Sequence, residues 1–245
     1  MAEVVPLRPA GGRSRARRGH ADVDLDAVTD APRTIGLRPT FEVDDWGRDA
    51  WMIKALGQLG RIRWDVSVGG AQHVPATGPA LLVANARRFS LSSVYASWAL
   101  SNVTGRVVRF VGRPDIAPVG PFMRRIGALL DRPDEVANAL RNGEVVLISA
   151  QGTSHPRHVG AIRHELLTGA VLLDAPVIPV ATISNVTGRN ARVEVGAALR
   201  RRRTRRGPLA EVELADDLQR HLQRQLDELG GYPTGFTPFD WLGRR

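Results

Sequence analysis

The order of apolar and polar positions divides the chain into short elements. Residues 80–84 (ALLVA), 144–150 (EVVLISA) and 176–184 (PVIPVATIS) are apolar almost without a break, the pattern of strands covered on both faces. The segments WDVSVGG (64–70), GRVVRFVGR (105–113) and ARVEVGAAL (191–199) read as further strands flanked by glycine turns. Between them the period changes from two to near 3.6. In residues 44–64 the positions of Trp51, Ile53, Ala55, Leu56, Leu59 and Ile62 suit one face of a helix that starts near Asp44 or Asp45. SSVYASWALSN (92–102) is helical, with Ser92 or Ser93 in position to cap it. PDEVANALRNG predicts a helix with Pro133 in its first turn and Gly143 past its end. Residues 117–132 predict a loop, a short helix and a turn; residues 162–174 predict a helix after the loop QGTSHPRHVGA; residues 209–229 predict a closing helix. Apolar strands alternating with helices indicate an α/β fold with a largely parallel sheet flanked by helices. Sites in such folds form at the loops that follow the strands.

Composition adds bounds. A chain of 245 residues with 43% hydrophobic and 24% charged positions can bury one sizeable core. The expected organisation is a basic arm over residues 1–40 without periodicity, a folded domain over 41–230, and a tail over 231–245. With no cysteine, disulfides, thiolate metal sites and cysteine nucleophiles are excluded. No apolar run approaches the roughly 18 residues of a membrane span, and the basic start has no apolar core of a secretory signal behind it. The expected location is cytoplasmic, peripheral on the inner face of the cell membrane.

The net charge of +9 is concentrated in two places. Five arginines fall within residues 1–20, and Arg200, Arg201, Arg202, Arg203, Arg205 and Arg206 form a second cluster. Guanidinium forks suit phosphate, so an anionic membrane surface is the expected partner of the second cluster, and a protein partner is a further expectation. Nucleic acid ranks last, because no aromatic platform or recognition helix accompanies the basic run. Neither nucleotide-binding glycine signature occurs, and His155 and His158 have no third ligand beside them for a metal. No cofactor is expected.

Four segments carry the chemistry: GPALLVAN (78–85), PVGPFMRRIGALLDR (118–132), NGEVVLISAQGTS (142–154) and APVIPVA (175–181). In this order they resemble the glycerolipid acyltransferase family of PlsC type. The opening DDWGRDA, with VPATGPALLVAN, looks like a subgroup common in actinobacteria. The resemblance implies a PlsC-type fold and transfer of an acyl group, from acyl-CoA or acyl carrier protein, to the hydroxyl of a lysophospholipid. In the family's first motif an Asn-His pair, followed by an Asp, supplies the base for the attacking hydroxyl and the carboxylate that orients it.

Here Asn85 matches the Asn, but Ala86 occupies the His position and Leu91 the Asp position, with Ser92 or Ser93 there if the gap is longer. A methyl group carries no proton. In the third motif Gln151, Gly152, Thr153 and Ser154 stand where the family has Glu-Gly-Thr-Arg, with Arg157 three residues on. In the second, Gly120, Arg124, Arg125 and Gly127 remain. The resemblance implies phosphate binding at Asn85, Arg124, Arg125, Gln151, Gly152, Thr153, Ser154 and Arg157, and Arg87 and Arg88 beside the lost base are further candidates. The leading expectation is a pseudoenzyme of phospholipid metabolism, a lipid- or partner-binding homologue at the membrane. The alternative is an active acyltransferase with a displaced base, His155 or His158, backed by Asp115 or Glu165. A basic nucleic-acid-binding protein is the second alternative.

Overall fold

A computed structural model of the chain describes residues 43–86, 91–153, 158–184, 189–199 and 207–230. The expected arm and tail, and the candidates Arg87, Arg88, Ser154, His155, Arg157 and the arginines of residues 200–206, lie outside them. The elements in chain order are α1 (Ala50–Arg63), β1 (Asp65–Gly69), β2 (Ala80–Ala84), α2 (Ser92–Thr104), β3 (Val108–Arg113), α3 (Val119–Arg125), β4 (Ala128–Leu130), α4 (Pro133–Arg141), β5 (Val145–Ser149), α5 (Thr168–Leu172), β6 (Val177–Ser184), β7 (Asn190–Val195) and α6 (Pro208–Glu228). The seven strands form one sheet in the order β1-β7-β6-β2-β5-β3-β4. Only the β6–β7 pairing is antiparallel. β1 and β7 therefore run against the other five.

The uninterrupted apolar strands sit at the centre, where both faces are covered. Ala80 to Ala84 have no exposed surface at all. Alternate side chains serve two cores. Leu81, Val83, Val146 and Ile148 meet α4, α5 and α6 through Val136, Leu140, Ala170, Leu218 and Leu222. Leu82, Ala84, Phe110 and Leu147 meet α2 through Tyr95, Ala96 and Leu100. On the first face α4 and α5 cross at a glycine: a Cβ on Gly169 would stand 2.7 Å from Ala137 Cα. Backbone cannot yield as a flexible side chain does, so Gly169→Val is expected to lower stability by about 1–3 kcal/mol, readable from a urea unfolding midpoint.

The structure corrects four expectations. The residue capping α1 is Asp49, whose Oδ1 accepts from the Met52 N–H at 3.0 Å. Asp44 instead closes the preceding turn, accepting from the Trp46 and Arg48 N–H groups. α2 starts with Leu91 at its N-cap and no side-chain cap, so neither Ser92 nor Ser93 plays that part. Residues 162–174 hold a short 3-10 turn, His164–Leu167, before α5 rather than one helix. Finally, Ala128–Leu130 forms the edge strand β4, which three residues between two turns do not announce.

Candidate functional site

The β2 and β5 strands lie side by side, but their onward connections leave over opposite faces of the sheet. β2 feeds α2 on one face, and β5 feeds the turn and α5 on the other. The crevice beyond their C-terminal ends is the topological switch point, where open α/β sheets bind ligands. The loops after the two strands meet there. Ala150 N–H donates to Ala84 O at 2.8 Å and Thr153 N–H to Ala86 O at 3.4 Å. The β5 loop folds back so that Gln151 N–H reaches Ala161 O at 2.8 Å. That approach demands a glycine, since a Cβ on Gly160 would overlap Gln151 O. Helix α6 fixes the same loop from outside: Gln223 Oε1 accepts from Val159 N–H and Gln219 Nε2 donates to Val159 O.

Asn85 stands at the floor of the crevice, 2% exposed. Its Nδ2 donates to Thr182 O at 3.0 Å, and its Oδ1 accepts from Thr182 N–H at 2.6 Å and from Thr182 Oγ1 at 3.1 Å. The amide continues the β2–β6 ladder by one rung beyond Ala84, so this side chain, expected to bind substrate, ties two strands together. Tyr95 joins the cluster from α2. Burial pushes its phenol above the ordinary value, and hydrogen bonds with Thr182 and Ser184 partly offset that. Ser93 Oγ lies 2.7 Å from Ser149 Oγ, which joins the start of α2 to the end of β5.

Ala86 is half-buried beside this cluster, and Leu91 is 56% exposed at the head of α2. Gln151 and Gly152 are exposed at the crevice, and Thr153 Oγ1 donates to His158 O at 2.9 Å. The carboxylates expected behind a displaced base face other cations: Asp115 lies 3.5 Å from Arg132, and Glu165 lies within 3.9 Å of both Arg163 and His164. Arg124 is exposed and donates through Nε to Trp46 O at 2.9 Å, and Arg125 accepts at its backbone carbonyl from Asp49 N–H. These bonds tie α3 to the turn before α1. Among the described residues no cluster of three His, Asp or Glu side chains suits a metal ion.

Two features escape sequence reasoning. An open groove of about 570 Å³ runs between α1, β1 and α2, lined by apolar Trp64, Val66, Val68, Trp98 and Val103 together with Arg61, Arg189 and Asp65. The Trp64 ring lies 5.7 Å from that of Tyr95, so the groove borders the cluster around Thr182. The second is a buried ion cluster. Arg109, 2% exposed, donates through Nη2 to Asp44 at 2.8 Å and to Glu144 at 3.0 Å. Its guanidinium lies 5.7 Å from the Trp46 ring. An arginine inside the apolar strand VVRFV was the available signal, because a buried guanidinium demands acids.

No protein-family model matches this chain, and no curated protein is similar to it in sequence. Among solved structures it is similar to the crystal structure of the 1-acyl-sn-glycerophosphate (LPA) acyltransferase PlsC from Thermotoga maritima. The identity is 19% and the TM-score 0.52, over 76% of this chain and 82% of that one. Among the described residues no helix is long and apolar enough to cross a membrane. The fold, a mostly parallel sheet flanked by helices, thus resembles that of this PlsC acyltransferase.

Proposed function

We propose that this protein is a non-catalytic homologue of the PlsC-type acyltransferases that binds a lipid at an anionic membrane surface. The observation that carries the reading is the methyl group of Ala86 at the switch-point crevice, in place of an imidazole. Among the described residues, three polar side chains around it have structural partners: Asn85 with Thr182, Ser93 with Ser149, Thr153 with the His158 carbonyl. A hydroxyl attacking a thioester needs a group to take its proton, and loss of such a base typically costs about 10²–10⁴-fold in rate. The groove beside Tyr95 suits an amphiphile, with apolar side chains for a chain and two guanidinium groups against one carboxylate, Asp65, for a phosphate.

The test is acyl transfer from acyl-CoA and from acyl carrier protein to lysophosphatidic acid, run with a titration of the same lipid followed by tryptophan fluorescence. The expected result is saturable binding without turnover. Trp98→Ala is expected to weaken binding roughly tenfold. Turnover at the rate of a working acyltransferase, lost in a His155→Ala/His158→Ala variant, would establish the displaced-base alternative instead.

A further inference from the structure

Helix α3 is apolar on the side where a surface helix should be polar. Its inner side packs normally: Gly120 is buried, a Cβ there would lie 2.6 Å from Pro114 O, and Met123 and Ile126 rest on the core beside α2. Its outer side carries Ile116, Val119 and Phe122, 67%, 46% and 45% exposed and three residues apart. The turn preceding the helix is continuous with it, through Gly120 N–H to Ile116 O at 2.7 Å. Ala117, Pro118 and Pro121 are exposed as well, so no polar side chain interrupts the surface from Asp115 to Met123. A helix apolar all round is ordinarily buried, and an exposed apolar patch with a polar rim marks an interaction site.

The rim names the partner. Exposed Arg124 and Arg125 follow the apolar stripe directly, and at its other end Asp115 lies 3.5 Å from Arg132, so the margin holds three arginines and one aspartate. The stripe follows β3, on the same edge of the sheet as the β2 and β5 loops. A second copy docked face to face would bring one net positive margin against another. An anionic bilayer offers an apolar interior and phosphates at its margin together. We propose that Ile116, Val119 and Phe122 form a wedge that enters the headgroup boundary of an anionic membrane, with Arg124 and Arg125 meeting its phosphates, so that the crevice faces the lipid surface. This deepens the lipid-surface reading above and rests on it.

Vesicle sedimentation separates the two claims. The full chain is expected to bind vesicles of phosphatidylcholine with 30% phosphatidylglycerol, and an Ile116→Ser/Val119→Ser/Phe122→Ser variant is expected to bind roughly tenfold or more weakly. The residues are exposed, so the far-UV spectrum should not change. Because the chain has no cysteine, Val119→Cys gives a single labelling site. A polarity-sensitive fluorophore there should shift to the blue on vesicle addition and be quenched by spin-labelled lipid. If the full chain ignores these vesicles, both the surface reading and the wedge fall. If the triple variant binds as well as the parent, or the label stays in water while the protein sediments, the wedge alone is overturned and the arginines of residues 200–206 become the anchor. A lipid-free dimer abolished by the triple variant, with vesicle binding intact, would make the stripe an interface between copies.

Discussion

Replacing Arg109 by methionine is expected to lower the folding free energy by about 3 kcal/mol, the low end of what breaking a buried ion pair costs. Methionine keeps most of the length and volume, so the loss is electrostatic rather than a cavity. It leaves Asp44 and Glu144 facing a site that shields one guanidinium almost completely, with side chains 35% and 22% exposed against 2% for Arg109. Their partial access to water keeps the cost at the low end. It also removes the cation from the Trp46 ring, a contact worth about 0.5–2 kcal/mol. Adding Asp44→Asn and Glu144→Gln should restore part of the loss, because removing both sides of a buried ion pair is often neutral where removing one is not, with half-buried Arg48 then left without its acids. Urea unfolding of the three proteins measures this. A single variant within about 0.5 kcal/mol of the parent, the size of an ordinary surface change, would show that the cluster is effectively hydrated.

The same cluster has a pH signature with a definite sign. Burial raises the Asp44 carboxyl, but the hydrogen bond and charge of Arg109, with the Arg48 and Trp46 N–H groups, outweigh it and hold the folded-state value below the ordinary 3.8. A carboxylate depressed in the folded state contributes stability that is fully present above its unfolded value and is lost as pH falls through the folded one. In the Arg109→Met protein burial acts without that cation, so the Asp44 value moves upward and protonation becomes easier to accommodate. The gap between parent and variant should therefore be full at pH 7 and narrow below about pH 4. A constant gap down to pH 3 would assign the effect to packing.

The outline of the fold was legible because its strands are extreme. A five-residue run with no polar position leaves a central, doubly covered strand as the economical reading, and Ala80–Ala84 is one. Local chemistry was less legible where several residues compete for one job. Asp44, Asp45 and Asp49 all precede the apolar stripe of α1, and which one caps depends on a turn held by distant partners, Arg109 on Asp44 and Arg124 and Arg125 on Trp46 and Asp49. The site divided in the same way. The place of the candidate site follows from strand order and loop motifs. The use of Asn85 depends on Thr182, 97 residues away, and no spacing rule reaches that far. An asparagine whose amide serves as a rung between strands looks, in sequence, the same as one that binds substrate.

The second large effect is expected from putting the base back. In the Ala86→His/Leu91→Asp protein, acyl transfer to lysophosphatidic acid should exceed that of the parent by roughly a hundredfold or more, within the range assigned to a positioned general base. The two changes are unequal in what they need from the fold. Leu91 already occupies the N-cap of α2, with no side chain there to accept from the first amides. An Asp at that position accepts one of those N–H groups and sits favourably in the helix dipole. Leu91→Asp alone should thus raise stability by about 0.5–2 kcal/mol and produce no activity. Ala86→His alone supplies a proton acceptor without the carboxylate that fixes its tautomer, and should give only a fraction of the double variant's rate. Ala86 is half-buried at the crevice, with its carbonyl held by Thr153 N–H, so the backbone that would carry the imidazole is anchored. Activity in the double variant alone would mean that the crevice still admits an acyl donor and an acceptor, and that Ala86 is what silences it. A double variant that folds, gains the cap's stability and stays inert would place the loss also in the third motif. There Gln151 and Ser154 stand where the resemblance expects a carboxylate and a guanidinium, and restoring both becomes the next substitution to make.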